Sequence, residues 1–333
     1  MRALRALVTG ASGFIGTALA ARLVARGDSV RALVRATSRT SDLTALGVEL
    51  ARGDVSDVRS LAPAVEGCDL VFHVAGAVKA LTHDEMFRAN AEGTRNVAIA
   101  CAAAPTPPLL VYVSSLAAAG PARAGRPRTE DDAPAPVSRY GESKLAGEEA
   151  IRDVCHRVEA SVVRPPIVYG PRDRELMPQL LRMARLGVVV RAGPRKEYSV
   201  VHVADLCDAL LAVAARGRRI GRSGSHGIYF VDDGRAHTWD EIALAACAAS
   251  GRRARVVALP EATSLLVAAG SSVLSTLTGT PSILSFDKIK EVRQPAWTCT
   301  SARAARELGY APRFPLAQGM SDAVAWFRRN GAP

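Results

Sequence analysis

The sequence predicts an α/β fold built on a doubly wound parallel sheet, and three observations predict it. Short β-branched or aliphatic runs alternate with helix-length segments through the first half of the chain. A turn with glycines at every third position, Gly10-Ala11-Ser12-Gly13-Phe14-Ile15-Gly16, joins the first such run to the first such segment. The chain has 333 residues, 48% of them apolar, which is ample material for a large buried core. Alternation of this kind belongs to parallel sheets covered by helices on both faces.

Residues 4–9 (LRALVT) read as a buried first strand, and Phe14 to about Arg26 as a helix that Gly27 can close. Further strands are expected at Ser29 to Val34, Val48 to Ala51, Leu70 to Val74, Leu109 to Val113 and Ser161 to Val163. The stretch from Gly120 to Pro136 is rich in Pro, Gly, Arg and acidic residues. It reads as a mobile surface segment and a candidate flap. In the segment from Arg139 to Val158, Leu145, Ile151, Val154 and Val158 recur at helical intervals. After about residue 165 the pattern breaks into proline-punctuated pieces, with a strand at Gly227 to Val231 and a helix starting at Thr238, which has capping-box spacing to Glu241. Residues 1–164 are therefore expected as one domain and 165–333 as a mainly separate, smaller α/β region. Segments at about 198–215 and 227–232 are expected to return to the first domain.

The net charge of +11 is almost wholly arginine, dispersed and with few aromatics between, which argues against nucleic-acid binding and for an anionic cofactor or a solvated basic surface. Six scattered cysteines without C-x-x-C or His/Cys clusters suggest neither a metal site nor a disulfide scaffold, and reduced thiols fit a cytoplasmic location. The amino terminus runs straight into the glycine turn and does not read as a signal peptide. The apolar stretch from Thr263 to Leu277 is shorter than a bilayer span and is broken by Gly270, Ser271 and Ser272. It predicts no transmembrane helix and leaves peripheral membrane contact open.

The placement of Gly10, Ser12, Gly13, Phe14, Ile15 and Gly16 between strand and helix suits a dinucleotide pyrophosphate, because a tight turn brings backbone N–H groups and the positive helix end to the phosphates. The second strand ends in Arg35 with no carboxylate nearby. Arg35, with Ser38 or Arg39, favours NADP(H), with NAD(H) as the alternative. Asp54 and Val55 follow the third strand, where the carboxylate can meet the adenine amino group or simply form a turn. Ala75, Gly76 and Ala77 give a small-residue edge for the adenine ribose and nicotinamide, and His73 before them reads as a satisfied core histidine.

Of the six tyrosines only Tyr140 has a lysine four residues on, Lys144, so both project from one helix face. A nearby ammonium lowers a phenol's pKa from about 10 and makes it a usable proton donor and acceptor, and the lysine can also hold the nicotinamide ribose. Ser114 and Ser115 end the fifth strand, where one hydroxyl can hydrogen-bond a carbonyl oxygen; spacing alone leaves the choice open.

Together TGASGFIG, the strand end VYVSS, Tyr140-x-x-x-Lys144 and Arg164-Pro165-Pro166-Ile167-Val168-Tyr169-Gly170-Pro171 resemble the extended short-chain dehydrogenase/reductases over nearly the whole chain. The resemblance implies a Rossmann-type domain, selects Ser115 as the catalytic hydroxyl, and sets Pro165 and Val168 against the nicotinamide. It also matches Asn90 to a supporting asparagine and suggests a dimer through the helices that include Tyr140, with a monomer left open. Dehydratases of this family carry Asp-Glu where this chain has Leu116-Ala117. Its nucleotide-sugar epimerases carry an arginine seven residues before the position of Asp205-Leu206, which here is Tyr198, with Arg195 nearby. What remains resembles the 3β-hydroxysteroid dehydrogenase and dihydroflavonol reductase-like branch. That branch implies hydride exchange with a ketone or secondary alcohol of a largely apolar small molecule, and the apolar runs Leu176 to Val190 and Leu265 to Leu284 suit pocket walls. The alternatives are a nucleotide-sugar epimerase with tightly bound NAD and, from another class, a dinucleotide-sensing protein without catalysis.

Overall fold

The computed structural model describes residues 3–78, 80, 82–260 and 290–331. The first half runs β1 (Arg5–Thr9), α1 (Phe14–Ala25), β2 (Ser29–Val34), α2 (Ser41–Ala45), β3 (Glu49–Arg52), α3 (Val58–Val65) and β4 (Leu70–His73). It continues through α4 (His83–Phe87), a π-helical turn (Arg88–Glu92), α5 (Gly93–Ala103), β5 (Leu109–Val113), α6 (Leu116–Ala119), α7 (Arg139–Val154) and β6 (Ala160–Arg164). The second half holds β7 (Ile167–Tyr169), α8 (Leu176–Leu186), β8 (Val188–Ala192), β9 (Glu197–His202), α9 (Val203–Arg216) and β10 (Ile228–Phe230). After these come β11 (Ala236–Thr238), α10 (Trp239–Ala249), β12 (Arg255–Leu259), β13 (Ala296–Trp297), α11 (Ala302–Leu308) and α12 (Leu316–Arg329).

Seven parallel strands form the main sheet in the order β10-β6-β5-β4-β1-β2-β3. Alternate residues of each strand enter opposite cores. Ala6 and Val8 of β1, Phe72 of β4 and Val111 of β5 pack on one face, and Leu7, Val71, Leu110 and Tyr112 on the other. Burial on both faces explains the near-continuous apolar strand sequences, and each large apolar side chain so buried contributes about 1.5–3 kcal/mol. The first helix closes as its sequence suggests, with Gly27 at φ +89° and its N–H on Val24 O at 2.9 Å. The expected helix from Arg139 ends at Val154 rather than Val158, and the third strand sits one residue later than expected.

A second sheet joins β11, β9 and β13, with β7 also on β9, while β8 and β12 make a separate parallel ribbon. A third core under them takes Met177, Leu180 and Leu181 of α8, Ile242 and Ala246 of α10, and Met320 and Val324 of α12. The stretch at 198–202 lies in β9 of this second sheet, yet its Val201 packs in the first core together with Val203 and Leu206 of α9, and β10 pairs with β6. The loop from Gly120 to Pro136, expected as a mobile surface segment, is instead stitched down. Ala122 pairs with Ala296, Arg128 N donates to Thr298 O at 2.9 Å, and the buried Glu130 accepts from Phe230 N at 2.9 Å. Its polar composition serves these long-range bonds.

Among the described residues no helix is long and apolar enough to cross a membrane. Thr263 to Leu277 and Leu265 to Leu284 lie outside the described residues.

Candidate active site

The strand order lines up the sequence-selected residues along one edge of the sheet, since each follows the carboxyl end of its strand. Asp54 and Val55 follow β3, Arg35 follows β2, the Gly10–Gly16 turn follows β1, Ala75 to Ala77 follow β4, Ser115 follows β5 and Pro165 follows β6.

Gly10 adopts φ +67°, and a Cβ there would lie 2.7 Å from Ala75 N; a Cβ on Gly16 would lie 2.1 Å from Gly10 O. Gly13 caps α1 without any side-chain bond, and the first helical turn holds no acidic residue. The uncapped N–H groups of Phe14, Ile15 and Gly16 and the positive end of α1 thus meet a cradle free of side chains. A pyrophosphate fits it.

Arg35 is exposed, its backbone N–H donates to Ser38 Oγ at 3.0 Å, which tightens the turn after β2, and among the described residues its guanidinium has no hydrogen-bond or ion-pair partner. Asp54 Oδ1 accepts from Ser56 N at 2.9 Å and from Ser56 Oγ at 2.8 Å, so this carboxylate does form a turn. Val55 O accepts from Asn96 at 2.9 Å. Asn90, buried in the π-helical turn, brackets Ala77 by accepting from its N–H at 2.7 Å and donating to its carbonyl at 2.8 Å, and also donates to Ser143 Oγ on α7 at 2.9 Å. Gly76 lies under both Asn90 and Lys144: a Cβ there would stand 3.0 Å from Asn90 Oδ1 and 3.5 Å from Lys144 Nζ. His73 is fully buried between Thr9 Oγ1 (2.7 Å) and Thr94 Oγ1 (2.9 Å). Burial, and secondarily the Lys144 charge, push its pKa down to about 3, so it stays neutral.

Helix α7 starts at Ser138, whose Oγ accepts from Gly141 N at 3.1 Å and donates to Glu291 Oε1 at 2.7 Å. Gly141 lets α7 approach α6 closely, since a Cβ there would be 2.3 Å from Ala117 O. That approach brings Tyr140 to the same cavity as Ser115, whose hydroxyl acts on the phenol to lower its pKa. Ser115 Oγ also accepts from Ala117 N at 3.1 Å. Ser114 is different: its hydroxyl donates at 2.5 Å to the buried Glu148 and is consumed there. Lys144 Nζ donates to Val113 O at 2.8 Å and stands 4.4 Å from the Tyr112 ring centre.

Burial raises the Tyr140 phenol to about 12; the nearby Ser115 hydroxyl opposes this and the Glu291 charge adds to it. Burial also weakens the Lys144 ammonium to about 7, against a smaller opposite pull from Glu148. The sequence-based expectation was a phenol lowered by its lysine. Desolvation of both groups dominates here instead.

Ser115 and Tyr140 open into a cavity of about 540 Å³. Its apolar wall includes Leu116, Pro166, Ile167, Leu176, Trp239 and Trp297, and its polar side chains include Arg191, Tyr198 and Glu291. Pro165 lies behind this wall, with its carbonyl accepting from Leu116 N at 2.8 Å, and Val168 packs on the core that Phe14 and Ile15 also touch. The run from Leu176 to Val190 contributes Leu176 to the cavity, while Met177, Leu180 and Leu181 are core. Sequence reasoning missed Glu291, Trp239 and Trp297. A 153-residue separation between Ser138 and Glu291 leaves no local signal to find.

The profile of the NAD dependent epimerase/dehydratase family matches residues 6–227. The chain belongs to that family. It is an extended short-chain dehydrogenase/reductase and an oxidoreductase, and its cofactor is a nicotinamide dinucleotide. It is 33% identical to a ceramide reductase of Caulobacter vibrioides (strain NA1000 / CB15N), over 97% of this chain and 94% of that protein. It is 31% identical, over 96% of each, to the 4-hydroxy-2-methyl-3-oxo-4-farnesyl-3,4-dihydroquinoline-1-oxide ketoreductase of Stigmatella aurantiaca. The crystal structure of gox2253 superposes with TM-score 0.77 at 30% identity, covering 98% of both chains.

Proposed function

We propose that this oxidoreductase exchanges a hydride with a ketone or secondary alcohol of a largely apolar molecule, with NADP(H) preferred over NAD(H). The observation that carries the reading is that Ser115 and Tyr140 line one mostly apolar cavity. The names of two full-length relatives, a ceramide reductase and a farnesyl-quinoline ketoreductase, support a reductase with an apolar substrate.

The nicotinamide, when bound, supplies or accepts the hydride. Tyr140 donates its phenolic proton to the carbonyl oxygen in reduction and takes it back in oxidation. Ser115 donates a second hydrogen bond to the same oxygen, which favours the build-up of negative charge there. Lys144, tied to Val113 O and close to Gly76, holds the ribose edge. Gly10, Ser12, Gly13, Phe14, Ile15 and Gly16 receive the pyrophosphate, Asp54 and Val55 the adenine, and Ala75, Gly76, Ala77, Pro165 and Val168 the inner ribose and nicotinamide. Arg35 faces a 2′-phosphate.

The test is NADPH and NADH oxidation against steroids, flavonoid-like ketones, β-keto acyl compounds and nucleotide sugars. NADPH-linked turnover of an apolar ketone is expected, Tyr140→Phe should lose at least about 100-fold in kcat with nucleotide binding kept, and Arg35→Ser should weaken NADPH more than NADH. Wild-type turnover in Tyr140→Phe would overturn the assignment, and release of tightly held NAD on denaturation with activity on nucleotide sugars alone would favour epimerisation.

A further inference from the structure

In the ribbon of β8 and β12, β8 has a buried and an exposed face, and β12 is exposed along its whole length. The register sets Val257 beside Val190 and Leu259 beside Ala192. Val189, one residue before Val190, is buried in the third core with Leu180 and Ile242, while its partner Val256 is 37% exposed. Pleating turns the neighbouring side chains to the other side, where Val190 and Val257 are each 41% exposed and Leu259 is 38% exposed. Leu186, at the end of α8, is 68% exposed beside them in the chain. Among the described residues no third strand joins the ribbon, and an apolar strand face open to water is a feature soluble proteins ordinarily avoid.

The rim of this face is basic. Arg255 N donates to Gly187 O at 3.0 Å, so the end of α8 meets the start of β12 and brings Arg185 near Arg252, Arg253 and Arg255. All four arginines are exposed, and among the described residues none forms an ion pair with a carboxylate. The acidic residue near the ribbon, Asp240, is buried and already paired with Arg191.

We propose that this face docks the protein on an anionic lipid surface, with Val190, Val257, Leu259 and Leu186 entering the interface and the four arginines meeting the headgroups. Apolar insertion or charge alone gives marginal binding, and the two together give stable attachment. The ribbon is also a wall of the substrate cavity: Arg191 lines it, and Trp239, which lines it too, donates from Nε1 to Val190 O at 3.2 Å. Docking therefore holds the cavity within one strand layer of the lipid. That consequence rests on the apolar-ketone reading; the docking itself does not.

Flotation of the full chain with phosphatidylcholine vesicles, and with vesicles also containing phosphatidylglycerol, tests the proposal without any substrate. Flotation with the anionic vesicles only, weakened by salt, is expected. R252Q/R253Q/R255Q should lower the partition by about 100-fold, at roughly fivefold per arginine, while leaving nucleotide binding and turnover of a water-soluble ketone unchanged. V190S/V257S, checked for native circular dichroism and nucleotide binding, should lose flotation as well. Absence of flotation, equal flotation on neutral vesicles, or an unaffected arginine variant would overturn it. A concentration-dependent dimer that V190S/V257S abolishes, with no vesicle binding, would assign the face to a second copy of the chain instead. A failed turnover screen leaves this readout intact.

Discussion

Glu148 on α7 and Arg164 at the end of β6 form a closed, fully buried pair: Arg164 Nε and Nη2 donate to the two carboxylate oxygens at 2.9 and 2.6 Å. Glu148 lies one helical turn beyond Lys144, and Arg164 lies directly before Pro165. The pair therefore ties the catalytic helix to the strand end that forms the cavity wall.

Breaking that pair from one side leaves a charge stranded away from water. Glu148→Leu should cost about 3–5 kcal/mol in denaturant unfolding, and Glu148→Leu/Arg164→Met should cost much less than the sum of the two single changes. Strict additivity would show that the two side chains do not act as a unit.

Gly16→Ala tests the dinucleotide cradle. The added methyl would sit 2.1 Å from Gly10 O, a backbone atom that cannot swing away. The turn must open, and nucleotide affinity, read by fluorescence titration, should fall at least about tenfold. Unchanged affinity would mean that the phosphates bind elsewhere.

These sites differ in how far the sequence could show them. The glycine turn, Tyr140 and Lys144 are legible because their spacing is local: three residues in a turn, four on a helix. The main-sheet strands are legible because burial on both faces imposes long apolar runs, and β2 and β5 start and end where the sequence expected. Ser114 and Ser115 look alike in sequence. Spacing does not separate them; the family resemblance selects Ser115, and the distant Glu148 gives the physical difference by taking the Ser114 hydroxyl. The pinning of the loop from Gly120 to Pro136 and the place of Glu291 likewise depend on partners a hundred or more residues away, and polar composition alone reads as exposure. The split of the run from Leu176 to Val190 into α8 and β8 turns on Gly187, at φ +67°. An apolar run by itself does not reveal which of its residues face a cavity and which face a core.

His73 gives the protein a measurable acid sensitivity. Its ring is buried between two threonine hydroxyls and titrates near 3, against about 6.5 in the unfolded chain. Between those values the unfolded state binds the extra proton, so stability rises with pH across the window, is complete above about 6.5 and is lost as pH falls toward 3. The slope from this one group is at most about 1.4 kcal/mol per pH unit. His73→Asn cannot titrate. It should be less stable than wild type at pH 7, because the threonines lose part of their bonding, yet its stability should fall less steeply between pH 6 and 4. Parallel pH profiles for the two proteins would mean that the ring takes up its proton in the folded state at an ordinary pH, and that its burial does not hold it neutral.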